Sequence, residues 1–168
     1  MNAMSTTAIS LDALRGSAAD IQSIQIPYRR HADQDAGVPA RHPVVVVGAG
    51  PVGLSMAIDM AQRGHRVVVL DNDHRLSIGS RALCFSKRAL EVWDRLGVGQ
   101  PMVDKGVSWN LGKVFLKDEQ LYEFNLLPEE GHERPAFINL QQYYAEAYLV
   151  ERALQLPDID LRWHNQVT

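Results

Sequence analysis

The chain has 168 residues, of which 46% are apolar and 22% are charged, a composition typical of a globular domain with a real core. Its net charge of −3 and pI near 6.0 provide no general attraction to nucleic acid or to an anionic membrane surface. The sequence has a lone cysteine, and it shows neither an apolar run of the ~20 residues that span a bilayer nor a secretory signal. We therefore expect a cytoplasmic protein without nucleic-acid or membrane partners.

Residues 1–42 are predicted to form a flexible N-terminal extension outside the fold. They are rich in Ala, Ser, Thr, Asp and Gln, and they end in the turn-prone stretch DQDAGVPARHP. The alternative is a short helix or docking segment built on the scattered apolar residues Leu11, Leu14, Ile21, Ile24 and Ile26. The composition favours the mobile tail.

The next stretch has the pattern of two parallel strands joined by one helix. Val44 to Val47 is a continuous β-branched run, which indicates a strand buried on both faces. The helix that follows ends at Gly64, and its apolar face consists of Leu54, Ala57, Ile58 and Ala61. A second strand, Arg66 to Leu70, is closed by Asp71. This order predicts a right-handed βαβ unit.

Further helices and antiparallel strands are predicted after residue 80. Cys84, as a single cysteine, is expected to be a small buried residue. Ser86 can cap a helix that ends at Gly97 and has the apolar stripe Ala89, Leu90, Trp93 and Leu96. An antiparallel hairpin, a short strand, a helix and a last strand are predicted over Lys113–Leu116 with Leu121–Leu126, Phe137–Asn139, Gln141–Gln155 and Leu161–Trp163.

These elements predict an α/β fold, a Rossmann-like βαβ unit with an antiparallel hairpin insertion. The last strand lacks its onward connection, which is unusual for a complete domain. Residues 43–168 are therefore expected to be the N-terminal portion of a larger domain.

The sequence VVVVGAGPVG carries the spacing G-x-G-x-x-G of a dinucleotide-binding turn. Gly48 permits a tight turn out of the strand, Gly50 lets the backbone approach the pyrophosphate, and Gly53 lets the helix lie close to the strand. Pro51 suits the first helical turn because its missing N–H would be unpaired there anyway. Free amides and the positive end of the helix dipole then stabilise a phosphate anion.

Asp71 lies 18 positions after Gly53, where a carboxylate can accept hydrogen bonds from ribose hydroxyls. The same carboxylate would repel a 2′-phosphate, so NADP is disfavoured in this pocket. On the residues alone, FAD and NAD remain alternatives. The histidines have no metal-ligand spacing, so we expect no metal site.

Three segments together resemble one enzyme family. They are VVVVGAGPVGLSMAIDMAQRGHRVVVLD, GSRALCFSKRALEVWDRLG and FINLQQYYAEAYLVERA. In that order they resemble the N-terminal part of the FAD-dependent aromatic hydroxylases, the single-component flavoprotein monooxygenases that include para-hydroxybenzoate hydroxylase and 3-(3-hydroxyphenyl)propionate hydroxylase. The resemblance implies FAD as cofactor, NAD(P)H as electron donor and a small phenolic substrate that receives one oxygen atom from O2.

The resemblance also implies a role for each matching residue. The three glycines would lie against the FAD pyrophosphate, and Asp71, where the family usually has Glu, would hold the adenosine ribose. Arg81 matches a family arginine that contacts the cofactor. Gln142 begins the family pattern Q-x-x-x-E, completed by Glu146, and would contact the flavin side, with Gln141 as an alternative match.

The family's later D-G and G-D motifs have no counterpart in this sequence, and no residue present can be named catalytic. The substrate, the choice between NADH and NADPH and the oligomeric state are not determined by the sequence. Two other functions remain open. One is an NAD- or FAD-dependent oxidoreductase of another family, and the other is a non-catalytic nucleotide-binding fragment.

Overall fold

The computed structural model describes residues 9–79 and 81–168. Its helices are α1 Leu11–Leu14, α2 Ala18–Ser23, α3 Pro51–Gln62, α4 Lys87–Leu96, α5 Gly99–Lys105 and α6 Gln142–Leu154, with a short 3₁₀ helix at Ala32–Gln34. Its strands are β1 Val44–Val47, β2 Val67–Leu70, β3 Cys84–Ser86, β4 Val107–Trp109, β5 Leu111–Leu116, β6 Glu119–Asn125, β7 Phe137–Asn139 and β8 Ile159–Arg162. They form a mixed α/β fold.

A three-stranded parallel sheet carries the predicted βαβ unit. Its order is β1-β2-β8, with Val44 opposite Val67 and Val67 opposite Ile159. Helix α3 connects β1 to β2 and packs on this sheet. The βαβ prediction is confirmed, whereas the last strand begins at Ile159 rather than at Leu161, because its pairing with β2 extends further than the apolar pattern indicated.

Helix α3 forms as the sequence predicts. Pro51 occupies the first helical position, where its missing N–H costs no hydrogen bond. The predicted apolar face is buried, and Leu54, Ala57 and Ile58 are 0% exposed. The chain leaves the helix at Gly64, whose φ of +85° is a left-handed conformation that favours glycine.

Strand β1 is less buried than its sequence predicts. Val44 and Val46 pack against the core beneath α3. Val45 and Val47, on the opposite face of the sheet, are 49% and 66% exposed. The prediction of burial on both faces is therefore wrong for β1, since a β-branched run shows strand propensity but not what covers each face.

The middle of the chain forms two antiparallel sheets. Strands β3, β7 and β4 pair in that order, and the predicted hairpin β5–β6 is confirmed, with Lys117 and Asp118 at its turn. Strands β3 and β4, each three residues long, were not predicted. Cys84 lies in β3 and is exposed, contrary to expectation, and its thiol donates a hydrogen bond to Asn139 Oδ1 at 3.1 Å.

Helix α4 follows its sequence pattern. Its N-cap is Ser86, whose hydroxyl accepts a hydrogen bond from the Ala89 amide at 3.5 Å, and it ends at Gly97 with a φ of +85°. The stripe residues Leu90, Trp93 and Leu96 are buried, while Ala89 is half-buried. Helix α5 follows directly and was not predicted, since its seven residues contain a Gly and a Pro near the start.

Of the two predictions for residues 1–42, the structure shows the docked segment over residues 9–26. Helices α1 and α2 pack against α6, and Ser17 and Asp20 form a capping box at the start of α2. The apolar residues Ile9, Leu14, Ile21, Ile24 and Ile26 are each at most 8% exposed and belong to the main core cluster. Burial of these side chains explains why the segment docks despite its polar composition.

Charged groups attach Asp33 and His42, which follow the docked segment in the chain, to β8. Arg162 Nη1 lies 2.6 Å from Asp33 Oδ2, and the same carboxylate oxygen is 2.7 Å from His42 Nε2. The hydrogen bond from the Arg162 guanidinium holds the pKa of Asp33 below its usual value. The ion pair thus persists into the pH range in which an isolated aspartate becomes protonated.

Candidate functional site

The turn after β1 is the centre of the candidate site. Gly48 has a φ of +102°, a conformation that L-residues rarely adopt, and its amide donates to the Leu70 carbonyl at 2.7 Å. This bond joins the turn to the end of β2. The tight turn assigned to Gly48 from the sequence is therefore present.

Gly53 brings α3 against the turn. A Cβ atom built on Gly53 would lie 1.9 Å from the Gly48 carbonyl oxygen and 3.3 Å from Val46 Cγ1. Carbon and oxygen atoms that are not bonded cannot approach to 1.9 Å, and the obstructing atom belongs to the backbone. Only glycine fits here, as the predicted close helix–strand packing requires.

Gly50 behaves differently from both of these glycines. It is the N-cap of α3 with an ordinary extended backbone, and among residues 9–79 and 81–168 a Cβ built on it would meet no atom within 4 Å apart from its own chain neighbours. The first hydrogen bond of the helix runs from the Leu54 amide to the Gly50 carbonyl at 2.9 Å. The Val52 and Gly53 amides come before this bond and therefore have no partner within the helix. An open space beside unpaired helix-start amides fits a pyrophosphate.

Asp71 is fixed against this turn. Its Oδ2 accepts a hydrogen bond from the Ala49 amide at 2.5 Å, and its Oδ1 accepts one from the Asp73 amide at 2.7 Å. The Asp71 amide in turn donates to the Arg162 carbonyl of β8 at 3.0 Å. A carboxylate has about four acceptor positions, so two remain for ribose hydroxyls. The carboxylate therefore both shapes the turn and can bind a ligand.

Asp71→Asn is expected to lower the free energy of unfolding by about 1–3 kcal/mol, because the amide nitrogen of Asn cannot accept a hydrogen bond and one backbone N–H loses its partner. Urea denaturation followed by circular dichroism measures this change. Asp73→Asn is the matched control, since Asp73 is exposed and its carboxylate contacts the neighbouring His74, accepting a weak bond from the His74 amide at 3.3 Å and lying 3.9 Å from His74 Nδ1. Equal unfolding midpoints for the two variants would contradict the role of Asp71.

Gln142 lies in a second polar group, at the start of α6. Its Nε2 donates to Glu146 Oε1 at 2.7 Å and lies 3.4 Å from Ser77 Oγ. Glu146 is 3% exposed and also accepts bonds from the Ser77 amide at 2.8 Å and the Ser77 hydroxyl at 2.7 Å. These donors satisfy the buried carboxylate, as burial of a charge requires. Gln142 thus points inward and contacts the loop that follows Asp71.

The two remaining sequence candidates are on the surface. Arg81 is exposed and makes no ion pair with the residues that the structure describes. Gln141 is exposed and is the N-cap of α6. Of the predicted site residues, Asp71 is thus hydrogen-bonded to the glycine turn, and Gln142 is hydrogen-bonded to Ser77 in the loop. No group of three potential metal ligands occurs among residues 9–79 and 81–168.

Sequence reasoning missed Ala49 and Ser77. Ala49 contributes only its backbone amide, which every residue has, so its side chain carries no signal. Ser77 lies 69 residues from its partner Glu146, in a loop without a repeating pattern. The Gln142–Glu146 spacing of four residues was the available sign that these two side chains are neighbours on one face of a helix.

The sequence pattern of the family described as FAD binding domain matches residues 41–168. This match covers the glycine turn, Asp71, Arg81 and Gln142. The chain belongs to the FAD-binding domain family. FAD is therefore the cofactor of this domain, and the Rossmann-like fold is confirmed.

This FAD-binding domain is similar to monooxygenases of known activity. It is 32% identical over 130 residues to 6-hydroxy-3-succinoylpyridine 3-monooxygenase of Pseudomonas putida strain S16, which covers 74% of this chain and 32% of that protein. It is 27% identical over 131 residues to para-nitrophenol 4-monooxygenase of Pseudomonas sp. strain WBC-3, with 74% and 31% covered. The chain thus spans about a third of the length of these relatives.

Solved structures share the fold. The crystal structure of p-nitrophenol 4-monooxygenase from Pseudomonas putida DLL-E4 superposes with a TM-score of 0.67 at 28% identity, over 73% of this chain and 32% of that one. A probable FAD-dependent monooxygenase from Pseudomonas aeruginosa superposes with a TM-score of 0.63 at 20% identity, over 72% and 32%. The second comparison shows the likeness in fold alone. Within the described residues no helix is long and apolar enough to cross a bilayer.

Proposed function

We propose that this domain binds FAD for a flavin-dependent monooxygenase that hydroxylates a small phenolic or other aromatic substrate with NAD(P)H and O2. The single observation that carries the proposal is the open space at Gly50 beside the unpaired amides, within a family that binds FAD. The named activities of the relatives, on nitrophenol and a hydroxylated pyridine, support the aromatic substrate. A relative described as a probable NADH-specific resorcinol 4-hydroxylase, from Rhodococcus jostii strain RHA1, supports the nicotinamide donor.

Each residue of the site has a binding role in this proposal. The amides of Val52 and Gly53 would donate to the pyrophosphate at the positive end of α3. The free acceptor positions of Asp71 would bind the adenosine ribose. Bound FAD would supply the electron transfer from NAD(P)H and the reaction with O2. The protein would bind and orient the cofactor and the substrate and exclude water from them.

Two further features concern partners and location. The net charge of −3 disfavours nucleic acid as a partner, and the relatives' substrates favour a small aromatic molecule. A lone free thiol favours the reducing cytoplasm as the location. The proposed setting is therefore the oxidation of a small aromatic molecule in the cytoplasm.

Titration of the purified chain with FAD tests cofactor binding. We expect quenching of flavin fluorescence with a saturable isotherm, and displacement of FAD by ADP-ribose compounds only at much higher concentration. NAD is the control ligand, because it shares the adenosine diphosphate but lacks the flavin. Binding of NAD with no binding of FAD would overturn the proposal in favour of a dehydrogenase.

Activity is tested on the product of the complete reading frame. Oxidation of NADH or NADPH that depends on a phenol, with uptake of O2 and formation of a hydroxylated ring, is the expected result. A flavin-containing protein that oxidises NAD(P)H but hydroxylates none of a panel of phenols and hydroxypyridines would indicate another class of FAD oxidoreductase.

A further inference from the structure

Residues 72–79 form a loop that connects the two polar groups of the site. Asp71, at its start, binds the Asp73 amide, and Ser77 binds Glu146 and lies near Gln142. The loop has no regular secondary structure, and Gly79 has a φ of +72°. Its shape therefore depends on contacts made by other parts of the chain.

The N-terminal segment provides several of these contacts. Gln22 Oε1 accepts a hydrogen bond from the Gly79 amide at 3.1 Å, and the Ile26 amide donates to the His74 carbonyl at 2.7 Å. His164 completes the arrangement, since its amide donates to the Asp73 carbonyl at 3.0 Å and its Nε2 lies 2.6 Å from the Ile26 carbonyl. Both ends of the loop are thus tied to residues 17–26, which we call the N-terminal brace.

The brace is itself firmly anchored in the core. Ile21 and Ile26 are 1% and 2% exposed, and α2 packs against α6. Just before the brace, Arg15 Nε lies 2.9 Å from Glu151 Oε1 on α6. An anchored segment can fix a loop, whereas a mobile one cannot. The brace lies entirely before residue 41, where the match to the FAD-binding domain family begins.

We propose that the N-terminal brace is an accessory part of the dinucleotide site, with Gln22 as a positioning residue that holds the 72–79 loop in its binding conformation. The inference rests on the proposed function, because it assigns the loop to the FAD site. A loop that is already ordered loses less conformational entropy when the ligand binds, so the brace raises affinity without touching FAD.

The test compares variants of the whole 168-residue chain by FAD titration. Gln22→Ala removes the acceptor of the Gly79 amide, and we expect the Kd for FAD to rise about three- to tenfold, the usual effect of one hydrogen bond. Gln22→Glu keeps an acceptor at the same position, so it is expected to restore the Kd to within about twofold of the original. Restoration by Glu separates positioning of the loop from general damage to α2.

Ser23→Ala is the matched control. Ser23 is the next residue of α2, is exposed, and uses its hydroxyl only within the helix, toward the Asp20 carbonyl at 2.8 Å. The Kd of the Ser23→Ala protein for FAD should stay unchanged. Amide hydrogen exchange gives a second readout, and Gln22→Ala should accelerate exchange at Gly79 while the amides of α3 remain protected.

An unchanged Kd for Gln22→Ala, or equal losses for Gln22→Ala and Ser23→Ala, would overturn the inference. Gly50→Val, measured in the same titration, distinguishes this failure from that of the proposed function. If Gly50→Val abolishes FAD binding and Gln22→Ala has no effect, the turn binds FAD and the brace is only structural. If Gly50→Val has no effect either, the assignment of the FAD site itself fails.

Discussion

Gly53→Ala is expected to prevent the strand–turn–helix unit from folding. The added methyl group would lie 1.9 Å from the Gly48 carbonyl oxygen, and this oxygen cannot move without breaking the turn. Displacing α3 instead would pull fully buried Leu54 and Ile58 out of the core. We expect a loss of at least about 3 kcal/mol, which is a large part of the stability of a typical domain.

Chemical denaturation followed by circular dichroism and tryptophan fluorescence measures this loss. Gly50→Ala is the matched control, since it adds the same methyl group in the same turn, where no described atom beyond the chain neighbours lies within 4 Å. Its unfolding midpoint should remain close to that of the original protein. A Gly53→Ala variant that unfolds cooperatively at the original midpoint would show that the helix does not lie against the turn as described.

Gly50→Val is expected to abolish FAD binding while the protein stays folded. Gly50 has a φ of −78°, which valine tolerates, and its side-chain position is open. A branched side chain would occupy the space needed by the pyrophosphate and block the helix-start amides. Loss of two charge-assisted hydrogen bonds corresponds to a rise in Kd of at least about 100-fold.

Flavin fluorescence titration measures the affinity, and circular dichroism verifies the fold. Gly37→Val provides the control, because Gly37 is exposed and equally open but lies outside the turn. The affinity of the Gly37→Val protein for FAD should be unchanged. Full flavin binding by a folded Gly50→Val protein would disprove the pyrophosphate site.

The sequence predicted those parts of the fold that depend on local patterns. The βαβ unit, the caps of α3 and α4 and the three glycine positions each follow from residues close together in the chain. The spacing after the glycine motif added Asp71, and the family resemblance added Gln142. The structure places both at polar groups of the site. Their contacts with FAD stay predictions, as does the contact assigned to Arg81.

The features that the sequence did not predict depend on contacts between distant residues. Docking of residues 9–26 requires the apolar surface of α6, which begins at Gln142, and neither segment shows by its own composition that the other is present. Exposure of Val45 and Cys84 likewise depends on what covers one side of a strand. Such features need the three-dimensional arrangement, because periodicity records only which face of an element is apolar.

The position of β8 beside β2 has a consequence for the order of folding. The paired residues Val67 and Ile159 lie 92 positions apart in the chain, and the Asp71 amide is paired with the carbonyl of Arg162. During synthesis, β1, α3 and β2 leave the ribosome long before β8 is available. Closing this long loop is entropically costly, so the completed nucleotide site is a late event. The glycine turn at the start of the domain therefore acquires its final support only when translation has passed residue 162.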